Sequence, residues 1–316
     1  MGNKVDRRID IKENKKLLSI LLKDKTTNRN LIWATDNYEK YGENYKRNCT
    51  ICIDLITGDY RNIIKPRVEK SKDEQQKRIR DKAEVFSASW ICNIQNNLVD
   101  DAWFGYKGAF NIETDNNWKT SNEKVKFPID NNKTWKDYVK LNRLEIACGE
   151  APYLASRYDV VSGKNIEVKD RIGLLDRKLR VINENIDSED EWIKWSTEAV
   201  KSIYGYDWQG DNVLLARQNI LYTIKEFFEY KFNKVIDVDL LIDYAKIISW
   251  NIWQMDGITM TVPYIKTKPK SAQMSFFSML GEENNDSEIK EEPVFCKIKD
   301  WKSGKVITFK SIVNGG

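Results

Sequence analysis

The chain has 316 residues, with 52 Lys or Arg against 48 Asp or Glu, a formal net charge of +4 and no histidine. The lack of histidine excludes catalysis by serine–histidine or cysteine–histidine pairs, and it excludes histidine-ligated metals. No apolar run approaches the ~20 residues that span a bilayer. The N-terminus has no apolar core behind its basic residues, and the five cysteines follow no zinc or disulfide pattern. We therefore expect a cytoplasmic enzyme, with no metal and no membrane partner.

Residues 1 to about 80 form the N-terminal region. Their apolar pattern predicts a helix around Lys15 to Leu22 and strands near Leu31 to Ala34 and Cys49 to Ile56. Lys65 to Lys82 then carries eight lysines and arginines. Such a run can lie along the phosphates of a nucleic acid, or it can be a solvated helix, and the sequence favours neither.

Ala83 to Cys92 follows directly on this basic run. Its apolar end predicts the start of a helix through Trp90 and Ile91, which Ser87 or Ser89 would cap.

A strand followed by a tight turn is predicted at residues 144 to 154. Leu144 to Ala147 has the apolar pattern of a buried strand, Cys148 to Pro152 has the small residues of a tight turn, and Tyr153 opens a predicted helix. Such a strand–turn–helix brings backbone N–H groups and a helix N-terminus close to a ligand. An ordinary structural turn is the alternative.

Two further apolar stretches end on an acid. Ile203 to Asp207 reads as a strand, and Val213 to Phe228 follows with the apolar spacing of a helix. In a doubly wound sheet, an acid at the tip of the second strand holds the hydroxyls of a ribose. Ala245 to Gly257 ends on Asp256 in the same way. Alone, the first pattern is an amphipathic core helix after a strand and the second is a turn.

The remaining stretches predict insertions and a C-terminal element. Residues 171–180 and 192–200 read as inserted helices that could face DNA or a partner. Lys266 to Pro293 is a polar linker. Val294 to Ile312 alternates around Lys302 to Lys305, which predicts a β-hairpin.

Taken in order, the four motif stretches resemble the S-adenosylmethionine-dependent amino-methyltransferases that act on DNA. The family's first motif usually reads Asp/Glu-Pro-Ala-Cys-Gly-x-Gly-x-Phe-Leu. Here the acid, Ala, Cys, Gly, an aromatic residue and Leu are kept, whereas Ile146 and Ala151 replace the usual Pro and Gly. The second motif is similar through Ala216-Arg217-x-Asn219, and the cover motif Phe-Thr-Pro is similar except that Ser87 and Ala88 stand for Thr-Pro.

This resemblance implies a Rossmann-like fold, a doubly wound and mostly parallel sheet, over residues 81–265. An N-terminal extension precedes this domain, and the polar linker and a C-terminal hairpin at 294–316 follow it. The implied cofactor is S-adenosyl-L-methionine, with Glu145 near its ammonium group, Asp207 on its ribose and Asp256 on its adenine amino group. The full set of implied cofactor-binding residues is Phe86, Ser87, Glu145, Ala147, Cys148, Gly149, Tyr153, Asp207, Trp208 and Asp256.

The family's catalytic tetrapeptide, Asp/Asn/Ser-Pro-Pro-aromatic, is absent. In the family, its acid or amide binds the target amino group and its aromatic residue stacks on the flipped base. Three stretches are substitutes: Asp300-Trp301, which the motif order favours; Asp36 with Tyr38, which implies a permuted order; and Thr261 to Tyr264, which keeps Pro-Tyr without the acid. Each of them can equally be a turn.

Three functions follow from the resemblance. The first is a DNA methyltransferase, of the adenine-N6 type, in a restriction-modification or phage-defence system, with DNA and a specificity or restriction subunit as partners. The second is a catalytically inactive relative that binds cofactor or DNA within a complex. The third is a methyltransferase for RNA or a small molecule, because the cofactor motifs do not specify the acceptor.

Overall fold

A computed structural model describes residues 11, 14–82, 84–128, 133–267 and 292–315 of the chain. It is a mixed α/β structure with short sheets. Its helices are α1 (Lys15–Leu21), α2 (Lys72–Lys82), α3 (Ser89–Phe104), α4 (Trp135–Val139), α5 (Leu174–Asn185), α6 (Glu189–Lys201), α7 (Gly210–Phe232), α8 (Val238–Asn251) and α9 (Phe309–Gly315). Its strands are β1 (Asn111–Thr114), β2 (Asn117–Thr120), β3 (Arg143–Glu145), β4 (Ile203–Asp207), β5 (Ile252–Gln254), β6 (Thr261–Thr267), β7 (Glu292–Phe295), β8 (Lys297–Lys299) and β9 (Val306–Thr308).

One parallel sheet lies at the centre, with the strand order β3-β4-β5. Helices α5 and α6 connect β3 to β4, and α7 and α8 connect β4 to β5, as parallel pairing requires. Leu144 pairs with Tyr204, and Tyr206 pairs with Trp253. Because all three strands run in the same direction, the three predicted acid-ended segments finish at the same edge of the sheet.

The two faces of this sheet are covered by different elements. Ile203 and Ile252 belong to the large core that also contains the buried residues of α5 to α8. Tyr204, Tyr206 and Trp253 lie on the other face and pack with C-terminal residues such as Ile298. In the part of the chain that the structure describes, helices therefore cover one face, whereas the other is covered by the strands that follow the sheet.

The N-terminal region shares the large core with the rest of the chain. The helix predicted at its start is present as α1, but the two predicted strands are wrong. Segment 31–34 instead makes one isolated bridge, between Ile32 and Thr50, and the buried amide of Gln254 binds the Ile32 backbone at both N–H (3.0 Å) and carbonyl (2.9 Å). This segment passes so close to α7 that a Cβ on Gly210 would lie 2.0 Å from the Ile32 carbonyl oxygen. Only glycine fits there.

Both predicted inserted helices are present, as α5 and α6. However, α5 buries Asp176, Arg177 and Lys178 together with its leucines. It is a core helix, so the prediction that it could face DNA or a partner is wrong. Most of the predicted polar linker lies outside the described residues. The predicted C-terminal hairpin is present as β8 and β9, paired antiparallel with Ile298 opposite Ile307.

Candidate cofactor site

The turn after β3 adopts an unusual backbone conformation. Ala147, Gly149 and Ala151 all have positive φ, at 47°, 52° and 61°. No α-helix begins between the end of β3 and Leu174, so the helix predicted at Tyr153 is wrong. The carbonyl groups of Tyr153 and Leu154 accept the N–H groups of Leu174 (2.8 Å) and Leu175 (2.9 Å) in place of helical partners. The two alanines with positive φ store backbone strain. A ligand here would meet the backbone of the turn, with no helix N-terminus beside it.

Glu145 lies behind this turn and holds its shape. Its buried carboxylate accepts hydrogen bonds from the backbone N–H groups of Tyr153 (3.3 Å) and Leu154 (3.2 Å). Burial raises the pKa of Glu145 well above its usual range, despite these two hydrogen bonds. The Glu145 side chain therefore stabilises the turn by accepting these two backbone N–H groups.

Asp207, at the end of β4, joins the second predicted motif to the first. Its Oδ2 accepts the N–H of Gly149 (2.9 Å), and its Oδ1 accepts the N–H of Gln209 (2.8 Å) and the Asn212 side-chain amide (3.3 Å). Burial raises the pKa of Asp207 to about 6, and the Glu84 carboxylate adds to the shift.

The predicted cover residues lie on the same turn. A Cβ on Gly149 would be 2.7 Å from Cε1 of Phe86, so the phenyl ring rests directly on the glycine. Ser87 lies beside the Tyr153 side chain, whose pKa is raised by burial. Cys148 is buried beneath them, in contact with the backbone of β4. Phe86, Ser87, Gly149 and Tyr153, which the sequence places up to about 70 positions apart, form one cluster.

The third predicted motif lies at the end of β5. Asp256 closes its own turn, since its Oδ1 accepts the N–H groups of Ile258 (2.8 Å) and Thr259 (3.3 Å). Trp208, directly after Asp207, donates its indole N–H to the Ala34 carbonyl (2.9 Å). Asp207 pairs with Gln254 across β4 and β5. Asp256 therefore lies two residues after Gln254, which pairs with Asp207 at the end of the neighbouring strand β4.

Sequence reasoning missed a buried charged cluster beside Asp207. Arg78 forms ion pairs with Glu84 (2.8 Å) and Asp211, and Lys70 lies 3.8 Å from Asp211. Two cations of the basic run Lys65 to Lys82 thus point into the protein, which neither a phosphate-binding run nor a solvated helix predicts. Their spacing in the sequence carries no signal of this, because the partner Asp211 is more than 130 residues away.

Several buried polar atoms in this cluster have no hydrogen-bond partner among the residues that the structure describes. Unpaired buried polar atoms are costly and mark a place where a ligand or water completes the network. Four of them are acceptors and one is an ammonium donor: Glu84 Oε1, Gln209 Oε1, Asp211 Oδ1, Asn212 Oδ1 and Lys70 Nζ. A ligand rich in hydroxyl and amino donors fits such a set. S-adenosylmethionine, with two ribose hydroxyls and two amino groups, has this chemistry.

Asp300 and Trp301 do not lie at this edge of the sheet. The Trp301 indole donates to the Asn251 side chain (2.7 Å), and Asn251 in turn binds the carbonyl of Ile203, the first residue of β4. The pair is therefore at the end where the strands begin. Asp300 is partly exposed and directly precedes a turn, and its hydrogen bond with Ser303 lowers its pKa.

The other two substitutes lie nearer the carboxyl ends of the strands. Tyr38 is buried against Trp33 (4.5 Å between ring centres) and donates its hydroxyl to Asp211 (2.6 Å), and burial raises its pKa well above the usual range. Asp36 lies 3.7 Å from Arg47. Tyr264 is half-exposed and packs edge-on against Trp208 (5.5 Å). Of the three substitutes, only the stretch with Tyr264 offers an accessible ring at this edge.

Three broader observations bear on the site. Within the described ranges, no group of three or more Cys, Asp or Glu side chains could hold a metal ion. No helix in the described part of the chain is long and apolar enough to cross a bilayer. Comparison with protein-family models, with curated proteins and with solved structures finds no match for the chain.

Proposed function

We propose that the chain is an S-adenosylmethionine-dependent methyltransferase that acts on an amino group of DNA, adenine N6, within a restriction-modification or phage-defence system. The observation that carries this proposal is the contact between three distant motifs: Phe86 rests on Gly149, and Gly149 donates to Asp207. If the resemblance arose by chance from unrelated turns, we would not expect Phe86, Gly149 and Asp207 to lie in contact. The parallel strands β3 to β5 then represent one half of a Rossmann-like, doubly wound sheet.

The residues of the site have distinct tasks in this proposal. Asp207, supported by Asn212, accepts the ribose hydroxyls, and Asp256 accepts the adenine amino group. Glu145 fixes the turn whose backbone meets the methionine end, and Phe86 covers that end and excludes water. S-adenosylmethionine, when bound, supplies an electrophilic methyl group on its sulfonium. With no histidine in the chain, the amino group must be held by a hydrogen-bond acceptor and lose its proton during or after transfer.

A specific observation favours a second candidate, a cofactor-binding subunit that is incomplete alone. In a doubly wound sheet the ligand crevice lies where the strand order reverses, so the first strand has neighbours on both sides. Here β3 is an edge strand, and no strand in the described ranges pairs with its outer side. Leu144 and Ile146 are exposed there, at 46% and 66%. A partner subunit that supplied the second half of the sheet would also supply the acceptor-binding group.

Two measurements separate these candidates. Calorimetric titration with S-adenosylmethionine is expected to give one site in the wild type and weaker binding in Asp207→Ala. Asp243→Ala, which removes an exposed carboxylate paired with Lys246, is the matched control. Absence of binding by the wild-type chain would refute the proposal.

Labelled methyl transfer to mixed duplex DNA then tests the acceptor. Incorporation into DNA is the result that the first candidate predicts, and incorporation into RNA instead would identify a different acceptor. Cofactor binding without transfer to DNA, RNA or small amines would favour the incomplete subunit. Asp300→Ala, Asp36→Ala and Tyr264→Ala test the three substitute stretches in the same assay.

A further inference from the structure

A large open groove begins where the cover motif ends. It has a volume of about 1400 Å³ and lies between the start of α3, the β1–β2 hairpin, the loop of residues 159–170 and the end of α7. Ser89 and Trp90 line it, only two and three residues after Ser87. The Ser89 N–H donates to Asp159 Oδ2 (2.6 Å), which fixes α3 to the loop. We call this feature the hairpin groove.

Three aromatic side chains line the hairpin groove without a ring partner. Trp90 and Trp118 are partly exposed, and Tyr230 is 60% exposed. Trp118 is fixed by its indole N–H, which donates to the Asp170 carbonyl (2.8 Å). Within the described residues none of the three rings contacts another aromatic ring or a cation. Fixed rings with a free face are the surfaces on which unpaired nucleobases stack.

The groove also has cations that are free to bind phosphate. Three exposed lysines line it and have no carboxylate partner in the described part of the chain: Lys119, Lys164 and Lys169. In contrast, the lining cations Arg180 and Lys231 are held by Glu184 (2.7 Å) and Asp187 (2.8 Å).

The lining carboxylates limit the net charge of the groove. Asp159 is turned towards backbone N–H groups, including that of Ser162 (2.6 Å), and Glu184 is held by Arg180. Glu167 and Asp170 remain, so three free ammonium groups face two free carboxylates. A nearly neutral groove with three ring faces suits a ligand that binds through its bases and contacts few phosphates.

We propose that the hairpin groove binds a single-stranded stretch of nucleic acid, with Trp90, Trp118 and Tyr230 as stacking surfaces and the three lysines on the phosphates. Its place in catalysis rests on the proposed function, since the groove would lead the strand that carries the acceptor base to the cover motif. Duplex is disfavoured because paired bases offer no free face to the rings. The chemistry is shared by DNA and RNA.

Fluorescence anisotropy with labelled oligothymidylate of about 16 nucleotides, near the upper site size of single-strand-binding folds, tests this binding. Tyr230→Ala is expected to weaken it roughly tenfold, the loss of about one stacked base. Lys119→Glu should weaken it several-fold and reduce the salt dependence, whose log–log slope should be only about two for three phosphate contacts. Tyr60→Ala and Lys16→Glu, exposed residues outside the groove, are the matched controls and should bind like the wild type.

The outcomes are separable from those of the cofactor proposal. Equal affinity of the wild type and Tyr230→Ala, tighter binding of duplex than of single strands, or no binding at physiological salt would each overturn the groove. A comparison of oligouridylate with oligodeoxyuridylate, which differ only in the 2′-hydroxyl group, decides whether the sugar is recognised. Oligonucleotide binding that responds to the groove variants, with no binding of S-adenosylmethionine, would sustain the groove and refute the cofactor site.

Discussion

In the part of the chain that the structure describes, two buried polar clusters differ in which buried atoms lack a hydrogen-bond partner: the first leaves only the Nε donors of Arg177 and Arg143 unpaired, whereas the second leaves acceptors unpaired. In the first, Arg177 binds Asp100 (2.6 Å), Asn93 (2.9 Å) and Asn97 (2.6 Å), and Tyr138 donates to the same Asp100 (2.9 Å). In the second, around Asp207 and Asp211, four acceptor atoms have no donor. A cluster whose acceptors are all used serves the fold. A cluster that leaves acceptors unused under a strained turn is suited to a ligand.

The largest expected effect belongs to the paired cluster. Arg177→Met should lower the free energy of unfolding by about 3 to 5 kcal/mol, because it leaves the buried Asp100 carboxylate without its main partner. Chemical denaturation measures this loss. The difference between variant and wild type should not change when S-adenosylmethionine is added at a saturating concentration. If the ligand rescued the variant selectively, the first cluster would also be part of the site.

The next effect belongs to the unpaired cluster. Asp207→Ala should weaken S-adenosylmethionine binding by about 1 to 3 kcal/mol, the range for a hydrogen bond to a charged group. Without ligand its stability should change less than that of Arg177→Met, since the alanine removes a carboxylate whose burial is costly. Calorimetry and denaturation of the same preparations compare the two. If Asp207→Ala lost as much stability as Arg177→Met but bound S-adenosylmethionine normally, the second cluster would serve the fold and not the ligand.

Substitutions at two glycines distinguish the effect of backbone strain from the effect of the contact with Phe86. Gly149 and Gly58 both have positive φ, 52° and 60°, but only Gly149 has a neighbour where a Cβ would be. Both alanine variants should lose about 1 to 2 kcal/mol of stability through strain. Gly149→Ala should in addition displace Phe86 and weaken cofactor binding, whereas Gly58→Ala should not. Equal cofactor affinity in the two variants would show that Phe86 does not cover the site.

The smallest effect is a pH dependence. Burial raises the pKa of Asp207 to about 6, above its ordinary value of about 4. The stability that this group contributes is full below about pH 4 and is lost as the pH rises through about 6. Cofactor binding should change in the opposite direction, weakening as the pH falls through about 6, because ribose hydroxyls donate to the ionised carboxylate. Titrations from pH 5 to 8 should show both slopes in the wild type and neither in Asp207→Asn.

The sequence predicted that Phe86, Gly149 and Asp207 meet, but it did not predict the local structure that brings them together. The apolar runs before Glu145, Asp207 and Asp256 identify three strands, because a buried parallel strand needs such a run. The helix expected at Tyr153 is absent because the carbonyl groups of Tyr153 and Leu154 accept the N–H groups of Leu174 and Leu175 instead of those one helical turn further on. These partners are distant in the sequence, and the left-handed backbone of the preceding turn is not apparent from the residue types.

Long-range partners account for the rest of the difference. Nothing in the run Lys65 to Lys82 indicates that Arg78 reaches Asp211 on α7. The N-terminal segments expected as strands make one bridge, between Ile32 and Thr50, and Gln254, 222 positions from Ile32, binds the backbone groups of Ile32 that would face a further strand. The motif order favoured Asp300-Trp301, yet the hairpin that carries them packs where β4 and β5 begin. The motif order of the family predicts where in the sequence the catalytic stretch lies. The packing of the C-terminal strands determines at which end of the sheet that stretch is found.

The most direct test of the central claim is a crystal structure of the chain with S-adenosylmethionine. We expect the ribose hydroxyls within hydrogen-bonding distance of Asp207, the methionine end against the Gly149 turn beneath Phe86, and donors opposite the unpaired oxygens of Gln209 and Asn212. A ligand bound elsewhere in the chain, or none in crystals grown at saturating concentration, would contradict it.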